Sequence, residues 1–309
     1  ECEHPKPRRA EGSRSRSIRR SCIQCFGKEY VPIAMHSLGG VQLALFAHKG
    51  RMLHRLDYVS VADVACGVGN VFHNKGAIGA FVKTRASSGN SNDEKRMLFV
   101  SSHLAAHASK VDDRNADFWR IVGELEAQVP PRFLLGGKKM STRANASNGN
   151  QKQSLLLEAM DYVFWGGDLN YRLDLPREYA EHKILKILKH DETEDPSISS
   201  LYRDLLRHDQ LLKTISSGKA FYNFAEGPID FPPTFKYDKG ANVYDSSHKK
   251  RVPSWTDRIL FKCDSSPEGG GLVKVMEYGC VQEATQSDHR PVCAKFSVRL
   301  SSPSSSSAQ

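Results

Sequence analysis

The period of the apolar residues changes along this chain and marks out its elements. Residues 41–46, 58–64, 78–82 and 97–101 are short alternating stretches joined by turns rich in Gly and Asn, and they predict successive strands. Between 110 and 128 the spacing lengthens. Phe118, Ile121, Val122 and Leu125 fall on one face there, which predicts a helix packed against a sheet. The run 160–165, Met-Asp-Tyr-Val-Phe-Trp, predicts a buried strand, and the two glycines that follow allow a sharp turn. Helices are predicted over 177–189 and 199–206, and strands over 258–262, 272–278 and 292–298. Strands interleaved with helices make an α/β fold. The polar run 136–153 has no period and reads as a disordered insertion, residues 5–20 as a flexible arm and 301–309 as a Ser-rich tail.

The 309 residues can bury a sizeable core and are read as one catalytic domain over 30–300 behind a basic arm at 1–29. No run reaches the ~18 apolar residues of a membrane span, and no secretory leader is read, so any membrane contact is expected to be peripheral. Lys and Arg number 44 against 35 Asp and Glu, a net charge of +9 concentrated towards residues 1–20. That balance suits an anionic partner, lipid headgroup or nucleic acid, or else a solvated basic face. Seven cysteines are scattered, and Cys22-Ile-Gln-Cys25 has no second pair at zinc spacing. Reduced thiols and a cytoplasmic location are therefore expected.

Three segments carry candidate chemistry: Gly167-Asp168-Leu-Asn170-Tyr171-Arg172, then Pro253-Ser-Trp255-Thr-Asp257-Arg258, then Ser287-Asp288-His289-Arg-Pro291. Each places acids, an amide or an imidazole at the predicted end of a strand. A lone Gly-Asp-x-Asn is more often an ordinary turn, and a lone Asp-His a surface accident. All three in this order fit metal-assisted cleavage of a phosphate ester, which needs an oxygen-ligated cation, a group that activates water, and donors for charge building on phosphorus.

Together these segments resemble the signatures of the inositol polyphosphate 5-phosphatases. The run 30–38, the loop Asn74-Lys75-Gly76, the run Ser102-His103-Leu-Ala-Ala and the block Phe231-Pro-Pro-Thr-Phe-Lys236-Tyr237-Asp238 also resemble that family. The first run and Phe-Pro-Pro-Thr most resemble its SHIP group, and the likeness spans about residues 30–298. The resemblance implies two packed mixed sheets flanked by helices, a DNase I-like sandwich with the site at one rim. It implies Mg²⁺-dependent removal of the 5-phosphate from phosphoinositides or soluble inositol polyphosphates, by an enzyme peripheral at membranes. No nucleic acid partner is expected and no oligomer is implied. A nuclease of the same superfamily and a non-catalytic headgroup-binding module are the alternatives. Trp-Thr-Asp-Arg and Lys-Tyr-Asp speak against the first, and the retained Asp168, Asn170, Asp257 and His289 against the second.

The roles follow from that likeness and from the side-chain chemistry. Asp168 is the candidate base for the attacking water, Asn170 positions water and phosphate, and His289 donates to a phosphate oxygen with its other nitrogen held by Asp257. His103 resembles a second phosphate-contacting histidine. Asn74, Lys75, Tyr171, Arg172, Lys236, Tyr237 and Arg258 are assigned to substrate, where a two-pronged Arg and point-charge Lys suit a 4-phosphate beside the scissile group. Asp288 and Glu1 are assigned to the metal, Glu1 as the end of the family's Gln-Glu motif. The family's first strand, with its Trp-Asn motif, lies ahead of the matched region. The chain thus reads as a fragment lacking that strand, from which poor activity alone is expected. Thr256 stands where the family often has Cys, and His73 where it usually has Gly.

Overall fold

A computed structural model describes residues 21, 23–67, 75–85, 94–130, 133, 154–190, 196–263 and 272–300. The arm at 5–20, the insertion at 136–153, the tail at 301–309, Glu1, His73 and Asn74 lie outside the described residues.

A six-stranded mixed sheet forms the centre, in the order β3-β4-β5-β6-β8-β7. Its strands are β3 (Leu56–Ala65), β4 (Gly76–Thr84), β5 (Arg96–His103), β6 (Tyr162–Asp168), β7 (Ala225–Glu226) and β8 (Asp257–Cys263). Only β5 and β6 run parallel; the other neighbours are antiparallel. Two antiparallel pairs accompany it, β1 (Tyr30–Leu38) with β2 (Val41–His48) and β9 (Val273–Cys280) with β10 (Val292–Val298). The first pair packs over β3, β4 and β5, and β10 packs against β8, so among the described residues the second layer is two hairpins.

Five helices are described: α1 (Val111–Gln128), α2 (Leu155–Ala159), α3 (Arg177–His190), α4 (Pro196–Leu206) and α5 (Gln210–Ser216). The apolar stripe of α1 fills the main core, with Phe118, Ile121 and Leu125 fully buried against Phe81, Leu98 and Trp165. Each such side chain contributes about 1.5–3 kcal/mol by leaving water. Every residue of β4 is buried, since helix covers one face of it and hairpin the other. None of the described helices is long and apolar enough to cross a membrane.

The predicted strands are present, β10 with the bounds the pattern gave and the others somewhat longer. Beyond 165, β6 does not turn. It continues through Gly166 and Gly167 to Asp168, paired with β5 on one side and β8 on the other. Gly167 has φ +133°, and a Cβ there would lie 2.0 Å from the Ser102 carbonyl oxygen. Gly76, at φ +143° on β4, two strands away, would meet the Val64 carbonyl at 2.1 Å. Both glycines serve close backbone approach at the edge of the sheet where the polar motifs end. The pattern missed α2, which Ser154 caps by accepting from Leu157 N, and α5, which Asp209 caps by accepting from Leu212 N.

Gly167→Ala should therefore destabilise the fold by about 3 kcal/mol or more. Gly40→Ala, where a Cβ meets nothing within 4 Å, should stay within about 0.5 kcal/mol of the parent. Chemical denaturation of the two variants checks this, and equal midpoints would refute the close-approach argument.

Candidate active site

Strand register assembles the site. His103 ends β5, Asp168 ends β6 and Asp257 begins β8, and they are partners across the sheet: His103 opposite Asp168, and Asp168 opposite Asp257. Neighbouring strands lie about 4.8 Å apart, so residues 103, 168 and 257 form one row at one edge. His289 comes from the β9–β10 connection. It reaches the row because its backbone bridges Phe235, which also bridges Ser254 just ahead of Asp257.

Side-chain contacts tie the row together. His289 Nδ1 lies 2.7 Å from Asp257 Oδ2, and His103 Nε2 lies 3.1 Å from Asp168 Oδ2. Asn170, at φ +59°, folds back so that its N–H donates to Asp168 Oδ1 and its Nδ2 to Asp168 Oδ2, both at 3.1 Å. The same Nδ2 donates to the Leu104 carbonyl, which anchors the amide in the β5 edge. Arg172 donates from Nη2 to Asn170 Oδ1 and from Nε to the Asn170 carbonyl. Its guanidinium lies 4.1 Å from the centre of the Phe235 ring, which in turn packs 4.5 Å from the His289 ring. Lys75 Nζ is in hydrogen-bond contact with His103 Nε2. Carboxylates, imidazoles and cations from five separate stretches thus meet at one rim.

The electrostatics follow from this packing. Burial pushes the Asp168 carboxyl up, but the His103 hydrogen bond and the charges of His103, His289 and Arg172 outweigh it and hold it below its ordinary value. For His289, burial disfavours the charged ring, and the Asp257 hydrogen bond, with Asp257, Asp168 and Asp288 nearby, raises it above the ordinary 6.5. Burial lowers Lys75, opposed by Asp168, and brings Arg172 down to about 10. Asp168 is thus anionic and Arg172 cationic near neutral pH. The stability signs are opposite. The contribution of His289 is complete below 6.5 and is lost as pH rises through its raised value; that of Asp168 is complete above the ordinary carboxylate range and is lost as pH falls through its lowered value.

Four sequence assignments need correction. Arg258 does not face a substrate: its guanidinium is fully buried, with Nη1 3.0 Å from Asp209 Oδ2 and Nε 2.7 Å from Glu226 Oε1. It follows Asp257 on a strand, so the two side chains leave by opposite faces. Tyr171 is also fully buried, and its hydroxyl donates to Asn115 Oδ1 at 2.7 Å. The Tyr237 hydroxyl is turned inward to Tyr244 at 2.7 Å, and its ring carries Arg290 at 3.9 Å. Asp288, assigned to a metal, is instead neutralised by Lys236 Nζ at 2.6 Å, which also occupies Lys236. Among the described residues no three His, Cys, Asp or Glu side chains group as metal ligands.

Sequence reasoning missed Phe235, the platform shared by Arg172 and His289, and gave Thr256 no role. Its hydroxyl donates to Asp257 Oδ2 at 2.8 Å and approaches His289 Nδ1 at 3.4 Å, so it helps orient the dyad. Aromaticity next to Lys236 was the available signal for the first, and the position beside Asp257 for the second. Asp257→Asn should shift the His289 titration midpoint downwards. Ring-proton NMR across a pH series reads this, and an unmoved midpoint would show that Asp257 does not support the charged ring.

Comparison with known proteins agrees with the geometry. The family model described as Endonuclease/Exonuclease/phosphatase family 2 matches residues 13–295. The chain is 31% identical over 273 residues to the phosphatidylinositol 4,5-bisphosphate 5-phosphatase INP51 of Saccharomyces cerevisiae, covering 88% of this chain and 23% of that protein. It is 34% identical over 277 residues to the phosphatidylinositol 3,4,5-trisphosphate 5-phosphatase 2B of Danio rerio, covering 87% and 19%. The chain thus spans about a quarter or less of the length of these curated relatives. Among solved structures it is similar to the inositol polyphosphate 5-phosphatase domain of spsynaptojanin, crystallised with inositol (1,4)-bisphosphate and calcium ion. That likeness has a TM-score of 0.65 at 28% identity and covers 93% of this chain and 70% of that one. A Cimex nitrophorin, 20% identical with a TM-score of 0.58, shares the fold alone. With the family model matched over most of its length, the chain belongs to the family described as Endonuclease/Exonuclease/phosphatase family 2, and the curated relatives it is similar to are named as phosphoinositide 5-phosphatases.

Proposed function

We propose that this chain hydrolyses the 5-phosphate of phosphoinositides or soluble inositol polyphosphates with the help of an oxygen-ligated cation, Mg²⁺. The observation that supports this most is the in-register row of His103, Asp168 and Asp257, with His289 bonded to Asp257 and the cations of Lys75 and Arg172 beside it. A row of this composition provides a base, a donor and countercharge within one phosphate's reach.

Asp168 is kept anionic and its side chain remains 18% exposed at the rim, so it can orient a water for in-line attack and take its proton. His289, whose charged form Asp257 favours through Nδ1, presents Nε2 as a donor to a non-bridging phosphate oxygen. Arg172 is aligned by Asn170 and Phe235 and places its guanidinium where an adjacent ring phosphate would sit. The new P–O bond forms from water, whose proton passes to Asp168, as the bond to the inositol oxygen breaks, and that oxygen takes a proton from bulk water. The donor set suits a hard cation that keeps several waters. Asp168 and Asp257, adjacent in the row, are the rim carboxylates that would hold Mg²⁺. When bound, Mg²⁺ would draw charge from a phosphate oxygen. A chain with net charge +9 is placed by this reading at an anionic membrane surface on the cytoplasmic side, as a peripheral protein.

Phosphate release across a panel of inositol phosphates and inositol lipids, run with Mg²⁺ and with chelator, tests the reading. Release is expected only from species that carry a 5-phosphate and only with the cation. Plain or abasic DNA should remain intact; cleavage of DNA in place of inositol phosphates would transfer the chain to the nuclease reading. Asp168→Ala should reduce turnover by about 10²- to 10⁴-fold while leaving headgroup binding in place.

A further inference from the structure

We propose that Gln210 is a positioning residue for the substrate-facing arginine Arg172, and that Arg114 and Asp174 fix the direction in which its carboxamide acts. The inference rests on the reading of Arg172 as a ligand of a substrate phosphate.

Gln210 is the first residue of α5 and is 4% exposed, although it is a polar side chain far from any motif. Its helix start is anchored from below. Asp209 caps α5 and is held by the buried Arg258, so the backbone at 210 has little freedom. Two hydrogen bonds then bracket Arg172. The Gln210 N–H donates to the Arg172 carbonyl at 2.9 Å, and Gln210 Oε1 accepts from the Arg172 N–H at 3.0 Å. Arg172 itself is bonded to Asn170, and Asn170 to Asp168. The carboxamide is therefore three hydrogen-bond steps from the catalytic carboxylate, and it meets Arg172 at the backbone that carries the guanidinium.

An amide has a direction, and here four partners agree on it. The oxygen end meets two N–H donors, Arg172 N and Arg114 Nη2, the latter at 2.6 Å. The nitrogen end meets two acceptors, Asp174 Oδ1 at 2.6 Å and the Ala108 carbonyl at 3.1 Å. Turned around, the amide would set N–H against N–H and oxygen against oxygen at all four contacts. Arg114 is fully buried and does not reach the rim. Its remaining Nη hydrogens go to the carbonyls of Ala105, His107 and Ala108, the loop that leaves His103. Its guanidinium also lies 4.9 Å from the centre of the Tyr171 ring. One glutamine thus joins the turn that carries Arg172 to the loop behind His103.

The consequence is specific. Removing the amide should loosen the backbone that aims the guanidinium, weakening substrate binding more than the attack of water. Gln210→Leu should raise KM for a soluble inositol trisphosphate by about tenfold or more, with kcat within about threefold of the parent. If Gln210 acts through Arg172, the two changes cannot add: in a chain that already carries Arg172→Ala, Gln210→Leu should alter KM by less than about threefold. Asp174→Ala supplies a second arm that keeps the core intact, since the Asp174 side chain is half exposed. It should raise KM by about threefold or more in the parent and change nothing in the Arg172→Ala background. Calorimetric binding of inositol (1,4)-bisphosphate to the same set should follow KM.

KM shifts that multiply across the Arg172→Ala cycle, or an Asp174→Ala chain identical to the parent, would overturn the proposal. A parent chain that binds the bisphosphate but releases no phosphate defeats the enzymatic reading alone, and the binding cycle then decides the role of Gln210. A parent chain that neither turns over nor binds removes both.

Discussion

The pairing of β6 with β5 on one side and β8 on the other is the constraint on which the site depends. Because β5 is parallel to β6 and β8 antiparallel, the last residues of two strands and the first of a third arrive at the same edge, in register as His103, Asp168 and Asp257. A slip of one residue in either pairing would turn the carboxylate of Asp168 or Asp257 to the opposite face. Register is held by packing on both faces, with Trp165 and Leu260 fully buried between helices and hairpins, and by Gly167, which alone permits the approach to Ser102. The position of the charges is thus set by apolar contacts made several residues further down the same strands.

Beneath the rim lies a second, largely buried polar layer. Arg258 joins Asp209 and Glu226, Tyr278 donates to Glu226, and Arg114 joins Gln210. Burial pushes the Asp209 carboxyl upwards, opposed by the buried Arg258 beside it and the Leu212 N–H. Such a network adds little net stability over an apolar core of the same shape, yet removing one member costs several kcal/mol because it strands the others. Its effect here is directional. It ties α5, the loop behind His103 and the turn that carries Arg172 into one body, and fixes the orientation of groups that face the substrate.

Residues within a contiguous motif were legible and their surroundings were not. Asp168, Asn170, Asp257 and His289 were read from short segments, because strand ends with alternating polar side chains carry a local signature. The errors came from the neighbours of those residues. Arg258 and Tyr171 belong to the same motifs but serve the interior, and motif membership does not tell which face a side chain takes. For Arg258 the alternation of a strand contains the answer, since the residue after an outward Asp257 points inward. For Tyr171 and Tyr237 it does not, because both lie in irregular loops whose inner partners, Asn115 and Tyr244, are set by tertiary contacts. The glycines after Trp165 were read as a turn because glycine favours turns. In fact β6 stays extended, and the missing Cβ makes room for the neighbouring strand.

Local pattern was sufficient for the identity of the elements and for the chemistry the chain can offer. Apolar period distinguishes strand from helix, and the side chains available at strand ends limit the reaction to one that uses acids, imidazoles and cations. Only the tertiary structure decided which of these groups meet. His103 and Asp168 are joined by strand pairing, Asp257 and His289 by a bridge through Phe235, and Arg172 and Arg114 by one buried carboxamide. Partners separated by tens of residues come together through packing of surfaces that no short window of sequence contains. Burial, in turn, is what sets their charge, because desolvation and neighbouring ions act through space rather than along the chain.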